Sequence, residues 1–105
     1  QLPTDNAKNL YTAMSDNSTG GAQAFYRAGV NAYTQENYID AITYFLRAYE
    51  IDAATVETPY YLAMSYIALN DFESASRYID IVNTKFGNTT YAAQLNSYLE
   101  SLQTN

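Results

Sequence analysis

The sequence predicts an all-α fold of antiparallel helix–turn–helix repeats closed by a C-terminal capping helix. Three observations carry this expectation. The run Glu36-Asn37-Tyr38-Ile39-Asp40-Ala41-Ile42 is echoed by Asn70-Asp71-Phe72-Glu73-Ser74-Ala75-Ser76, with Ala41 and Ala75 set 34 residues apart. Internal repetition at such a period marks stacked helical pairs, each too small to bury its own apolar face. Apolar residues also recur at helical spacing along most of the chain, and hydrophobic types make up 48% of 105 residues, enough for a core.

Residues 1–21 read as an N-terminal helix and linker. Ala7, Leu10, Tyr11 and Met14 form an i, i+3, i+4, i+7 stripe over residues 5–15, with Thr4 or Asp5 as cap. Asp16 to Gly21 is polar and glycine-bearing, so it reads as a turn or flexible connection. Two repeats follow over residues 22–88, approximately 22–55 and 56–89. Phe25, Ala28, Gly29, Ala32 and Tyr33 give one face of a helix ending near Gln35, and Tyr38, Ala41, Ile42, Phe45, Ala48 and Tyr49 give the next, ending near Ile51. A connection this short forces the two to pack antiparallel. Gly29 inside a helix costs roughly 1 kcal/mol relative to alanine, and a close helix contact is the reason to tolerate it.

The second unit repeats the plan. Pro59 suits a first helical turn, where its missing N–H is harmless, and Leu62, Ala63, Tyr66 and Ile67 follow as the inward face. Phe72, Ala75, Ile79 and Val82 line the partner helix, which ends near Phe86-Gly87 with Gly87 as C-cap. Residues 89–105 read as the capping helix. Thr89 or Thr90 starts it, and Ala92, Leu95, Tyr98, Leu99 and Leu102 cover the end of the stack.

Composition narrows function by exclusion. A net charge of −6 with five scattered cations (Lys8, Arg27, Arg47, Arg77, Lys85) argues against nucleic acid and against a polybasic membrane patch. No apolar run reaches membrane-spanning length and no signal peptide is legible, so no direct membrane insertion by this segment is expected. Absence of Cys and His removes the usual zinc sites, thiol chemistry and the commonest general base; no metal or cofactor is expected. The chain opens at Gln1 without an initiator Met, the expected mark of a processed form or an excised piece. Twelve tyrosines against no tryptophan are the compositional oddity. A tyrosine has an apolar ring and a polar tip, so it serves half-buried helix seams and binding surfaces alike.

These residues resemble the tetratricopeptide repeat. Phe25 and Gly29 match the family's aromatic and small residues of the first helix; Tyr38, Ala41, Phe45 and Ala48 match its second, within Glu36 to Asp52. Ala53 stands where proline is usual. In the second copy Leu62, Ala63, Tyr66, Phe72 and Ala75 match, whereas Pro59 replaces an aromatic. The match covers residues 22 to about 88 well and the ends loosely. The closing run Phe86 to Gln94 is similar to a turn found in bacterial envelope members, so an extracytoplasmic bacterial location is favoured.

The resemblance implies a non-enzymatic protein–protein interaction module, a scaffold or adaptor. Its first helices would line a concave groove through Gln23, Tyr26, Arg27, Val30, Tyr33 and Thr34, then Glu57, Tyr60, Tyr61, Met64, Ile67 and Ala68. Tyr26, Arg27, Val30, Tyr33, Tyr60, Tyr61, Met64 and Ile67 are the candidate binding residues, for a peptide or helix ligand. The competing reading is that the N-terminal helix or a missing neighbour covers the strip. The family's chaperone-binding members grip a C-terminal carboxylate with Lys, Asn and Arg; Tyr26, Val30 and Tyr61 occupy three of those places, so that clamp is absent. The alternative function is a structural spacer or self-association domain of a larger bacterial envelope protein.

No catalytic constellation emerges. Glu36 with Asp40, and Asp71 with Glu73, could in principle do acid–base work. Carboxylates at helix starts are more simply explained by the helix macrodipole. Glu50 and Asp52 lack calcium-loop spacing, and the sequons at Asn17 and Asn88 read as chance in a chain rich in Asn, Ser and Thr.

Overall fold

The computed structural model describes residues 19–103. Among the described residues there are five helices: α1 Thr19–Thr34, α2 Tyr38–Ile51, α3 Glu57–Ala68, α4 Phe72–Lys85 and α5 Thr90–Gln103. No described residue lies in a strand. Consecutive helices pack together, and α3 sits centrally against α1, α2, α4 and α5. The fold is therefore an all-α stack of helical pairs with a C-terminal helix on its end. The stripe over residues 5–15 lies outside the described residues.

The two intra-pair turns are built alike, one period apart. Glu36 and Asn70 both take left-handed backbone, with φ of 62° and 63°. In the first turn the Glu36 amide donates to the Tyr33 carbonyl at 2.9 Å and the Asn37 amide to Ala32 at 2.9 Å. In the second, Asn70 donates to Ile67 at 2.9 Å and Asp71 to Tyr66 at 2.9 Å. This paired closure satisfies carbonyls that the helix end would otherwise orphan. Asparagine tolerates the left-handed well; glutamate does so at a cost of roughly 1–2 kcal/mol.

The helix starts differ in chemistry. Asp71 caps α4 by accepting from the Ser74 amide at 3.1 Å. Thr89 caps α5, its Oγ1 accepting from the Ala92 amide at 3.2 Å. At the head of α2, Asn37 instead donates Nδ2 to the Asp40 carboxylate at 2.9 Å. Ala54 donates to the Asp52 carboxylate at 3.0 Å, which turns the chain between the pairs.

Phe45 anchors the core. It is fully buried, Tyr61 stacks on it at 5.4 Å with planes 10° apart, and Tyr26 tilts against it at 6.0 Å. Gly29 is what admits that ring, because a Cβ there would lie 2.6 Å from Phe45 Cε1. The close crossing expected at Gly29 is thus real. Ala41, Ala63 and Ala75 are fully buried, as are Leu62, Val82 and Leu95. Each large side chain buried in this way contributes about 1.5–3 kcal/mol.

Four expectations need correction. Helix α1 starts at Thr19, so Thr19 to Gly21 is helix where a turn was expected, and buried Gly21 places its first turn against the body. Phe72 is 53% exposed rather than inward. Its counterpart Tyr38 packs edge-on to Tyr33 at 5.5 Å, but Ile67 stands one period after Tyr33 and offers no such ring. Gly87 has no left-handed backbone; Phe86 closes α4 by donating to the Val82 carbonyl. The need for glycine there is steric, since a Cβ would meet the Asn83 carbonyl oxygen at 2.6 Å. Ile67, read both on the inward face and on the groove, is 5% exposed and belongs to the core, so only the inward reading stands.

Candidate functional site

Helical spacing puts Tyr26 and Tyr33 on one face of α1, and Tyr60 and Tyr61 follow each other on α3. The structure joins these rings into a chain. Tyr33 meets Tyr61 edge-on at 5.2 Å, and Tyr26 meets Tyr61 at 6.1 Å. Tyr61 touches Tyr60 at 5.2 Å, and Tyr60 meets Tyr91 of α5 at 5.1 Å. Tyr38 extends the chain from Tyr33 at 5.5 Å. All six rings are half-buried. Tilted and edge-on ring pairs of this kind add about 0.5–1.5 kcal/mol beyond area burial.

The electrostatics follow from that placement. Burial pushes the Tyr26 and Tyr33 hydroxyls up to about 12, with neighbouring tyrosines and, for Tyr26, Glu57 adding to the effect. Burial also raises Tyr60, helped by Tyr61 and Tyr91. Tyr91 is raised by burial and by the neighbouring Glu57 carboxylate. Partial burial of a phenol disfavours its charged form. The Tyr26, Tyr33, Tyr60 and Tyr91 hydroxyls therefore stay neutral throughout the physiological range. Beside Tyr26, between the start of α1 and the α2–α3 connection, lies a cavity of about 290 Å³ whose wall carries Asp52 and Glu57.

Not every expected residue joins the strip. Arg27 is exposed and lies outside the ring chain, while Val30 and Met64 are half-buried against the core. Ile67 is withdrawn into the core. Tyr91 was missed, and so was Tyr98, which lies near enough to Tyr33 to raise it. Their signal was available: Tyr91 and Tyr98 stand seven residues apart on α5, as Tyr26 and Tyr33 do on α1. The acidic pairs have structural work instead, Asp40 accepting from Asn37 and Asp71 capping α4. Among the described residues no group of three or more His, Cys, Asp or Glu could hold a metal ion. No described helix is long and apolar enough to cross a membrane.

Comparison with protein families, curated proteins and solved structures finds no match to this chain.

Proposed function

We propose that this chain is a protein–protein interaction module of the tetratricopeptide type, a non-enzymatic scaffold that takes a peptide or helix along its tyrosine strip. The observation that supports this reading is the continuous run of six half-buried rings over α1, α2, α3 and α5. Rigid amphipathic rings bury area at low entropic cost, which is why tyrosine is enriched among residues that dominate binding energy. Glu57, beside Tyr91 at the edge of the strip, would favour a ligand carrying a cation near that end.

Peptides selected from a displayed random library on the wild-type chain provide the test. Tyr61 stacks on Phe45, so its removal also cuts into the core. Tyr60→Ala with Tyr91→Ala is the cleaner probe, and Tyr60→Ala with Tyr61→Ala is the stronger one. Loss of a ring that anchors a ligand costs about 2 kcal/mol or more, about thirtyfold or more in affinity. Selected peptides that bind both variants as tightly as wild type by calorimetry, with helicity retained, would refute the assignment. A spacer or self-association role predicts instead no enriched peptides, and for self-association a mass by light scattering that rises with concentration.

A further inference from the structure

The cavity beside Tyr26 brings two carboxylates together with a buried hydroxyl. Asp52 closes α2 and Glu57 opens α3; both are half-buried and both line the same space of about 290 Å³. Among the described residues neither carboxylate has a cationic partner; Arg47 pairs with Glu50. Thr58, one residue after Glu57, lines the same cavity and is only 3% exposed. Its hydroxyl makes no hydrogen bond among the described residues. It is not sealed in the core as the Ser65 hydroxyl is, so it opens on the cavity. Burying a hydroxyl without a partner costs free energy, and such a group is explained when a ligand completes it.

Three acceptors, two of them anionic, call for a positively charged donor. A bare metal ion fits poorly, because no group of three or more His, Cys, Asp or Glu forms among the described residues. The space also far exceeds what one ion or one water needs. Ala22, Ala48 and Tyr26 supply an apolar wall for a hydrocarbon stem, and an aromatic face attracts a cation. The Asp52 oxygens already accept from the Ala54 amide at 3.0 Å and the Thr55 hydroxyl at 3.5 Å. What remains suits single-point contacts. A guanidinium prefers the free edge of one carboxylate, whereas an ammonium shares three donors among separate acceptors.

We propose that this cavity takes the ammonium of a lysine carried by the peptide or helix that lies along the tyrosine strip. This assignment rests on the strip being a binding face. Tyr26 connects the two, since it lines the cavity and packs on Tyr61 at 6.1 Å. Helix ends do not oppose the cation. The starts of α1 and α3 and the end of α2 meet here, and their partial charges sum to about +0.5 against two full negative charges. The net charge of −6 also draws cations toward the chain from solution.

N-acetyl-lysine N-methylamide, titrated into the isotope-labelled full chain and followed by NMR, reads the cavity without relying on the strip. The expected result is saturable shifts at the amides of Gln23, Thr55, Glu57 and Thr58. The norleucine analogue, which keeps the stem and drops the charge, should give none, and the arginine analogue should bind more weakly. Asp52→Asn with Glu57→Gln keeps the shape of both side chains and should weaken lysine binding about tenfold or more. Thr58→Val removes an unpartnered hydroxyl, so it should fold as well as wild type and weaken binding about two- to tenfold. Peptides selected from the random library should share a lysine and lose about tenfold or more when it becomes norleucine. Selected peptides that need Tyr60 and Tyr91 but tolerate loss of the lysine, or of both carboxylates, would overturn the lysine assignment and leave the strip reading standing. Lysine shifts in a chain that enriches no peptide would sink the strip reading, and with it the claim that a peptide supplies the ammonium. No saturable shift, equal shifts from norleucine, an arginine analogue that binds as tightly, or full affinity in Thr58→Val would each overturn the proposed site.

Discussion

Replacing Gly29 with alanine sets two opposing effects against each other, and the structure decides their balance. Alanine in a helix interior is favoured over glycine by about 1 kcal/mol. The new Cβ, however, would sit 2.6, 2.7 and 2.9 Å from three carbons of the Phe45 ring. Carbon pairs attract best at about 3.5–4.0 Å, so the ring must retreat by about 1 Å. It has nowhere to go: it is fully buried, with Tyr61 stacked on it and Tyr26 tilted against it. Overpacking a closed core costs about 1–3 kcal/mol, and three short contacts place this site at the upper end. The net expectation for Gly29→Ala is a loss of about 1–2 kcal/mol, or about 4–16 °C in Tm for a domain of this size. Urea denaturation followed by circular dichroism should show a lower midpoint with unchanged slope. Gly29→Ala in a Phe45→Leu background should lose its penalty and become neutral or stabilising, giving a measurable coupling energy. A Gly29→Ala chain as stable as wild type, or more so, would refute the steric argument.

Three further outcomes follow from individual groups. Ser65 is fully buried and its hydroxyl has no hydrogen-bond partner, so Ser65→Ala should raise stability by about 1 kcal/mol by removing that desolvation cost; a lower urea midpoint would show the hydroxyl to be satisfied. Glu36 is an exposed residue in left-handed backbone, so Glu36→Gly should raise Tm by relieving about 1 kcal/mol of strain, whereas Glu36→Val should lower it. Tyr26 and Tyr33 have folded-state values near 12 against an ordinary 10, so their stabilisation is complete below pH 10 and declines as the pH rises through 12. Thermal melts should weaken across that window, and Tyr26→Phe with Tyr33→Phe should flatten the decline. A wild-type melt independent of pH over that range would contradict the assignment.

The helix pairs were legible because their signals are local. Aromatic and small residues recur with a period of 34, and apolar faces keep a helical interval. The close approach at Gly29 was legible for a related reason: a glycine inside a helical apolar pattern is tolerated where a close contact needs it. What escaped depends on facts that periodicity does not carry. Phe72 occupies the same place as Tyr38, yet its burial depends on a residue in the preceding helix, where Ile67 replaces Tyr33. Glycine after a helix most often signals left-handed backbone; at Gly87 the requirement comes from the Asn83 carbonyl instead. Ile67 fits either the groove or the core by spacing alone, and packing of the pairs turned it inward. Tyr91 escapes because a capping helix is expected to cover the stack's end, not to join its binding face. Its place beside Tyr60 makes it part of the strip.

Phe45 has a consequence for how this chain comes apart. Stacked arrays are often treated as a sum of intrinsic unit stabilities and separate nearest-neighbour terms. Here one ring enters both: it fills the space above Gly29 within its own pair and carries Tyr61 of the next. A pair that loosens internally must therefore also release its neighbour. Subglobal opening of one pair alone is suppressed, and hydrogen-exchange protection should collapse in α1, α2 and α3 together.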